Sequence, residues 1–123
     1  MAILLQLHKG KVLHKFSIDH SVTLGRSTEN DIQLADKTVS ALHAHITARD
    51  PNDPSIGFEL VDLSSTNGSF INELPVKRQA LREGDHIRLG LVSFSFHLTD
   101  AAALEQTAQL HKSWLPGVFY TKD

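Results

Sequence analysis

Apolar and polar residues alternate along most of residues 1–98. Segments 12–18 and 92–98 place an apolar side chain at every second position except at His14, with residues such as Lys15 and Ser95 between them. This period of two predicts β-strands with one face in a core and the other in water. Similar short apolar runs predict further strands at residues 3–7, 22–24, 32–34, 43–48, 58–63, 69–72 and 86–89.

Turn-forming sequences separate the predicted strands. Gly, Pro, Asn and Asp are concentrated at residues 8–11, 28–31, 50–54, 66–68 and 82–85. Many short strands with frequent turns favour an all-β sandwich or barrel over alternating β and α units. The pattern contains no internal repeat and no low-complexity segment.

The pattern changes after Leu98, which divides the chain into a strand-rich domain at 1–98 and a tail at 99–123. Thr99 or Asp100 is a suitable N-cap, and 101–106 are good helix formers, so the tail is predicted to begin with a short helix. The residues expected on one helix face are Ala101, Leu104, Ala108 and His111. The tail ends with three aromatic residues, Trp114, Phe119 and Tyr120. It is expected either to pack back on the domain or to contact a second copy (a homodimer) or a neighbouring domain.

Composition narrows the classes of function. The chain has 123 residues, 41% hydrophobic and 21% charged, with a formal charge of −2 and no cysteine. These values fit one globular domain without disulfides or thiolate chemistry, and without a charge bias towards nucleic acid. No apolar run approaches the ~18 residues of a membrane span, and the N-terminus lacks a signal-peptide pattern. We therefore expect a cytoplasmic protein that contacts no membrane.

Four short polar segments carry the candidate chemistry. They are Gly25-Arg26, the run from Ser40 to His43, the hairpin-like turn Thr66-Asn67-Gly68, and Glu83-Gly84-Asp85. Each is weak evidence alone, because an Asn-Gly pair is first of all a tight turn and a Gly-Arg pair is usually a turn with a solvated charge.

Taken together, in this order and spacing, the segments resemble the forkhead-associated (FHA) domain family. The resemblance covers residues 1–98 and rests on five stretches: Val22-Thr23-Leu24-Gly25-Arg26, Asp31-Ile32-Gln33-Leu34, Val39-Ser40-Ala41-Leu42-His43-Ala44, Asp62-Leu63-Ser64-Ser65-Thr66-Asn67-Gly68-Ser69-Phe70-Ile71-Asn72, and Glu83-Gly84-Asp85-His86-Ile87-Arg88-Leu89-Gly90. It implies an all-β sandwich of two mostly antiparallel twisted sheets. It also implies a non-enzymatic, phosphothreonine-dependent protein interaction module in Ser/Thr kinase signalling, with no cofactor.

The resemblance further assigns roles to individual residues. Arg26, Ser40 and Thr66 are expected to contact the phosphate, and Asn67 the peptide backbone. Gly25, His43 and Gly68 are expected to support the site. These residue types suit the ligand, because phosphothreonine carries about −1.5 to −2 charges and three strong acceptor oxygens. An arginine supplies a fixed cation and a planar pair of donors, while hydroxyl groups supply neutral donors.

One position departs from the family pattern. Family members often have a polar or basic residue directly after the serine, and here that residue is Ala41. The site is therefore expected either to bind phosphate more weakly or to depend more strongly on Arg26. Val39 and Ala41 are the small apolar candidates for contact with the phosphothreonine methyl group.

The same residues suggest three other classes of function. A hydrolase would use Ser40 and His43 with Asp36 or Asp62, but the nucleophile-elbow motif is absent. A metal site would use His43 and His45, but no spacing fixes a third ligand. A nucleic-acid binder would need a basic stripe, which is missing. The stronger alternative is an FHA fold that binds a protein partner, or self-associates, without phosphate.

Overall fold

The computed structural model describes residues 1–105, which form two β-sheets packed face to face. The first sheet contains β1 (Ala2–His8), β2 (Lys11–Ile18), β7 (Ser69–Ile71), β8 (Leu74–Val76), β10 (His86–Leu89) and β11 (Val92–His97), in the order β2-β1-β11-β10-β7-β8. The second contains β3 (Ser21–Gly25), β4 (Ile32–Gln33), β5 (Ala44–Ala48), β6 (Phe58–Asp62) and β9 (Arg78–Ala80), in the order β4-β3-β5-β6-β9. The predicted all-β sandwich is confirmed.

Nearly all neighbouring strands are antiparallel, and the β3–β4 pair is parallel. A 3₁₀ turn, Pro54–Ile56, lies between β5 and β6. The connection from β6 to β7 crosses from the second sheet to the first. The prediction of a hairpin-like turn at 66–68 was therefore wrong: this segment belongs to a loop that joins the two sheets.

The main core lies between the sheets and is built by the alternation that predicts the strands. Inward-facing residues of β1, β3, β5, β6, β10 and β11 are almost completely buried, and they include Leu4, Leu24, Ile46, Leu60, Ile87, Phe94 and Phe96. Burial alternates along β5, β6 and β10, whereas both faces of β1 and β11 are largely buried. A rigid sandwich of this kind holds its connecting loops in fixed positions.

A second, smaller apolar cluster lies on the outer face of the first sheet. Ala103 packs there on Ile3 and Leu5, and the three residues are 0–2% exposed. Residues 100–105 are helical, and the hydroxyl of Thr99 caps them by accepting a hydrogen bond of 3.1 Å from the N–H of Ala102. Lys15 of β2 forms a 2.5 Å ion pair with Asp100 at the start of this helix.

Ala101 and Leu104, which are expected on one helix face, are both exposed, and Ala103 is the residue that packs on the sheet. Ala108, His111 and the three tail aromatics lie outside the described residues. Within residues 1–105, no helix is long and apolar enough to cross a membrane.

The predicted strands lie within one or two residues of the observed ones. The sequence analysis missed β8 and β9, two strands of three residues each. β8 contains Pro75 at its centre, and neither strand is long enough to show an apolar period.

Candidate functional site

Arg26 follows β3 directly and is held at its position by the loop between β4 and β5. Its backbone N–H donates to the carbonyl of Ser40 at 2.9 Å, and its Nε donates to the carbonyl of Val39 at 3.0 Å. The side chain is exposed, and its two terminal amino groups make no hydrogen bond within residues 1–105. The guanidinium is therefore oriented through one nitrogen and keeps two donor groups for a ligand.

Gly25 allows this close approach of the two loops. A Cβ atom at this position would lie 2.2 Å from the carbonyl oxygen of Ala41 and 2.7 Å from Nδ2 of Asn30. Both distances are far below van der Waals contact, and the first atom belongs to the backbone. Any side chain at position 25 would push the loop that carries Ser40 away from Arg26.

Ser40 and Thr66 come from loops on different parts of the chain, and a hydrogen bond joins them. The hydroxyl oxygen of Ser40 accepts from the N–H of Thr66 at 3.0 Å. This bond uses one lone pair of the oxygen and leaves the hydroxyl proton of Ser40 free to donate. Thr66 itself is exposed. Together with Arg26, these groups form a cluster of donors with one fixed positive charge.

His43 lies beneath the cluster and is 0% exposed. Its Nδ1 accepts from the backbone N–H of Ser40 at 3.0 Å, and its Nε2 lies 2.9 Å from the carbonyl oxygen of Gly68. A backbone N–H can only donate and a carbonyl can only accept, so the ring is the tautomer protonated at Nε2. The imidazole joins the β4–β5 loop to the β6–β7 loop.

Asn67 is exposed at the rim of the cluster. Its Nδ2 donates to the carbonyl of Thr38 at 2.8 Å, which orients the amide and leaves its oxygen and a second N–H available. Gly68 follows with φ of +88°, a conformation that side chains rarely adopt. Its carbonyl is thereby directed at His43.

Asp62 organises the loop that carries Thr66 and Asn67. One carboxylate oxygen accepts from the hydroxyls of Ser65 and Ser69, each at 2.6 Å, and the other accepts from the N–H of Ser65 at 3.2 Å. Burial acts to raise the pKa of Asp62, but the hydrogen bonds from the Ser65 and Ser69 hydroxyls outweigh it and lower the pKa below 3.8. The charged carboxylate is the form that holds this loop.

The sequence analysis missed several residues that hold the loops. Nδ2 of the buried Asn30 donates to the carbonyls of Ser27 and Ala41 at 2.9 and 2.7 Å, which fixes the backbone on both sides of the cluster. The sequence places Asn30 in a turn and Asp62 in one of the stretches that resemble the family, but it assigns neither residue a role in holding the loops. Nothing in their sequence context distinguishes them from ordinary turn residues.

The observed contacts also test the hydrolase and metal-site alternatives and the expected contact with the ligand methyl group. The ring nitrogens of His43 are bonded to backbone groups, and the Ser40 hydroxyl accepts from a different loop, so the serine-to-histidine hydrogen bond of a hydrolase is not formed. Val39, a candidate for contact with the ligand methyl, is 1% exposed and belongs to the core, whereas Ala41 is exposed. Among the described residues, no group of three or more His, Cys, Asp or Glu side chains is arranged to hold a metal ion.

The fold and the converging loops define a β-sandwich domain with a cluster of polar side chains on its loops. A family model of the FHA domain matches residues 22–90, which is more than half of the chain. The chain therefore belongs to the FHA domain family.

Individual relatives agree with this assignment. An oxoglutarate dehydrogenase inhibitor of Corynebacterium efficiens is 37% identical over 89 residues, which cover 72% of this chain and 59% of that protein. The matched region thus spans well under two thirds of the relative.

Solved structures of FHA domains have the same fold as this chain. An FHA domain from a study of phosphothreonine-dependent FHA domain interactions is 31% identical, with a TM-score of 0.68 over 80% of this chain and 98% of that one. The FhaA FHA domain, solved with the intracellular domain of Rv3910, is 28% identical, with a TM-score of 0.68 over 79% of this chain and 100% of that one.

Proposed function

We propose that this domain binds phosphothreonine-containing segments of other proteins and acts as a non-catalytic adaptor in Ser/Thr kinase signalling. The observation that carries the proposal is the position of Ser40. Its carbonyl accepts from the backbone of Arg26, and its hydroxyl accepts from the backbone of Thr66. Ser40 therefore links the backbones of the two other residues, Arg26 and Thr66, whose side chains would contact a phosphate together with its own.

The chemistry of these groups matches a phosphate better than a carboxylate or a neutral ligand. The guanidinium of Arg26 supplies one positive charge and offers two donors in one plane. The hydroxyls of Ser40 and Thr66 add neutral donors, so a phosphate dianion would be met by several hydrogen bonds and one positive charge. The neutral tautomer of His43 holds this arrangement from below without adding a charge.

Asn67 would supply the contact to the peptide. Its amide is oriented by the carbonyl of Thr38, and its remaining donor and acceptor are the pair of groups that an extended backbone needs as partners. A site with a phosphate subsite and a backbone contact favours a phosphorylated peptide segment over free inorganic phosphate.

The relatives support a regulatory binding role. One is called an inhibitor of an enzyme, one comes from a study of phosphothreonine-dependent interactions, and one was solved with the intracellular domain of another protein. On this basis we propose a phosphorylated protein partner for this chain and a cytoplasmic site of action. The tail as a contact for a second copy or a neighbouring domain stays a prediction.

The test is titration with an oriented phosphothreonine peptide library beside the same library without phosphate. We expect binding of the phosphorylated library, with the preferred sequence then confirmed by calorimetry on a single peptide. Equal binding of both libraries, or selection of unphosphorylated peptides, would contradict the proposal and favour the phosphate-independent FHA module instead.

A further inference from the structure

The turn between β10 and β11 makes direct contact with the β4–β5 loop and with the β6–β7 loop. The N–H of Leu91 donates to the hydroxyl oxygen of Thr38 at 2.9 Å, in the loop that carries Ser40. The N–H of Gly90 donates to the carbonyl of Gly68 at 3.2 Å, in the loop that carries Asn67. The resemblance to the family places no functional residue in this turn.

Thr38 is the residue through which the turn reaches Asn67. Its hydroxyl accepts from Leu91 and donates to a carboxylate oxygen of Asp36 at 2.5 Å, while its N–H donates to the same oxygen at 2.8 Å. Its carbonyl accepts from Nδ2 of Asn67 at 2.8 Å. The position of this carbonyl therefore decides which way the Asn67 amide points.

Gly90 allows the β10–β11 turn to lie close to Thr38. A Cβ atom at this position would lie 2.4 Å from the carbonyl oxygen of Thr38 and 2.6 Å from its hydroxyl oxygen. The first is the atom that orients Asn67, so an added methyl group would displace it directly. Gly84, at φ of +81°, has no atom within 4 Å of its Cβ position, whereas Gly90 has φ of +60°.

We propose that Gly90 and Thr38 are positioning residues for peptide binding, and that they act through the side chain of Asn67. The β10–β11 turn fixes Thr38, and the Thr38 carbonyl holds the Asn67 amide in the orientation needed by a peptide backbone. The ligand then does not have to order this side chain when it binds, which lowers the entropic cost of binding. This inference rests on the proposed function, because it concerns the affinity of the same site.

The first experiment compares Gly90→Ala with Gly84→Ala in calorimetric titrations with the phosphothreonine peptide selected for the wild type. Both variants place a methyl group at positive φ, but only Gly90→Ala displaces Thr38. We expect Gly90→Ala to weaken binding by at least about fivefold, the effect of one lost hydrogen bond, and Gly84→Ala to leave affinity unchanged. Equal affinities of the two variants would overturn the inference.

A double-mutant cycle tests the route through Asn67. In an Asn67→Ala background, Gly90→Ala is expected to change affinity by less than about twofold, because the side chain that it misplaces is already gone. An undiminished effect of Gly90→Ala in that background would overturn the proposed route. Failure of the wild type to bind the peptide would count against the proposed function itself and is therefore a distinct result.

A second pair of variants applies if Gly90→Ala does not fold. Thr38→Val removes the hydroxyl that bonds Leu91 and Asp36, whereas Thr38→Ser keeps it. We expect Thr38→Val to weaken peptide binding and Thr38→Ser to retain wild-type affinity. Equal affinities of Thr38→Val and Thr38→Ser would contradict the positioning role of the hydroxyl.

Discussion

The Nε2–H of His43 donates a hydrogen bond of 2.9 Å to the carbonyl oxygen of Gly68. Because Nδ1 of the same ring accepts from the β4–β5 loop, one buried side chain joins the two loops that carry Ser40 and Asn67. The site thus depends on a residue that a ligand would not touch.

Replacement of His43 by Leu is expected to destabilise the fold and to weaken phosphopeptide binding. The variant leaves the Ser40 N–H without its partner and removes one bond from the Gly68 carbonyl, at a cost of about 1–3 kcal/mol in the free energy of unfolding. Urea denaturation measures this change. His45→Leu is the matched control, because Nε2 of His45 is buried without a hydrogen-bond partner within the described residues. Similar losses in both variants would contradict the bridging role.

Removal of the fixed positive charge is expected to abolish most binding and to leave the fold intact. Charge-assisted hydrogen bonds contribute about 1.5–3 kcal/mol, so Arg26→Ala should weaken phosphopeptide binding at least about tenfold. The melting temperature should change little, since the side chain is exposed. Arg49→Ala, which removes an exposed arginine just after β5, is the control for net charge. Wild-type affinity of Arg26→Ala would show that this residue does not bind the phosphate.

A phosphothreonine peptide is expected to bind more tightly than the matching phosphoserine peptide. The two ligands differ by one methyl group, whose burial contributes about 0.8 kcal/mol, or about fourfold in affinity. The methyl also restricts the rotamers of the free side chain, which adds to the preference. Since Val39 is buried in the core, we expect the methyl to contact exposed Ala41 or the turn at Asn67. The measurement is calorimetry of both peptides in one buffer, and equal affinities would indicate a pocket that senses only charge.

The charged form of Asp62 is expected to stabilise the fold above pH 4. Its pKa in the folded state is lowered below 3.8, so in acid the unfolded chain binds more protons and the stabilisation is lost as pH falls through this range. Asp62→Asn should therefore cost about 1.5–3 kcal/mol near pH 6, and this difference should shrink below pH 3.8. Thermal unfolding of both proteins from pH 6 to pH 2.5 measures it. Asp19→Asn is the control for one lost exposed carboxylate, and a difference between Asp62→Asn and wild type that did not vary with pH would contradict the assignment.

The alternation of apolar residues was sufficient to predict the sandwich, because burial on one face of a strand imposes a period of two. For segments 12–18 and 92–98 the strand bounds agree with the prediction within a residue. The polar face of β11 was wrongly expected in water, because Ser95 and His97 are buried. β8 and β9 could not be predicted, because a strand of three residues is too short to show a period of two. β8 also contains Pro75. The sequence also could not predict that the β6–β7 loop crosses from one sheet to the other, because an Asn-Gly pair indicates a turn but not which strands the turn joins.

The resemblance placed the candidate ligand-binding residues on loops that do meet in the structure. It did not indicate the residues that hold those loops, such as Asn30, Thr38 and Gly90. Their roles depend on contacts between segments far apart in the chain, and Thr38 bonds a residue 53 positions away. Such contacts leave no local pattern in a single sequence.

The apolar layer formed by Ile3, Leu5 and Ala103 has a practical consequence for work with fragments of this protein. A fragment ended at residue 98, where the strand pattern stops, would lose Ala103 and leave the two β1 side chains less covered on an open sheet face. We expect such a fragment to fold but to self-associate at lower concentrations than a fragment that retains the helical residues. Peptide affinities measured on the shorter fragment would then be affected by aggregation rather than by the binding loops.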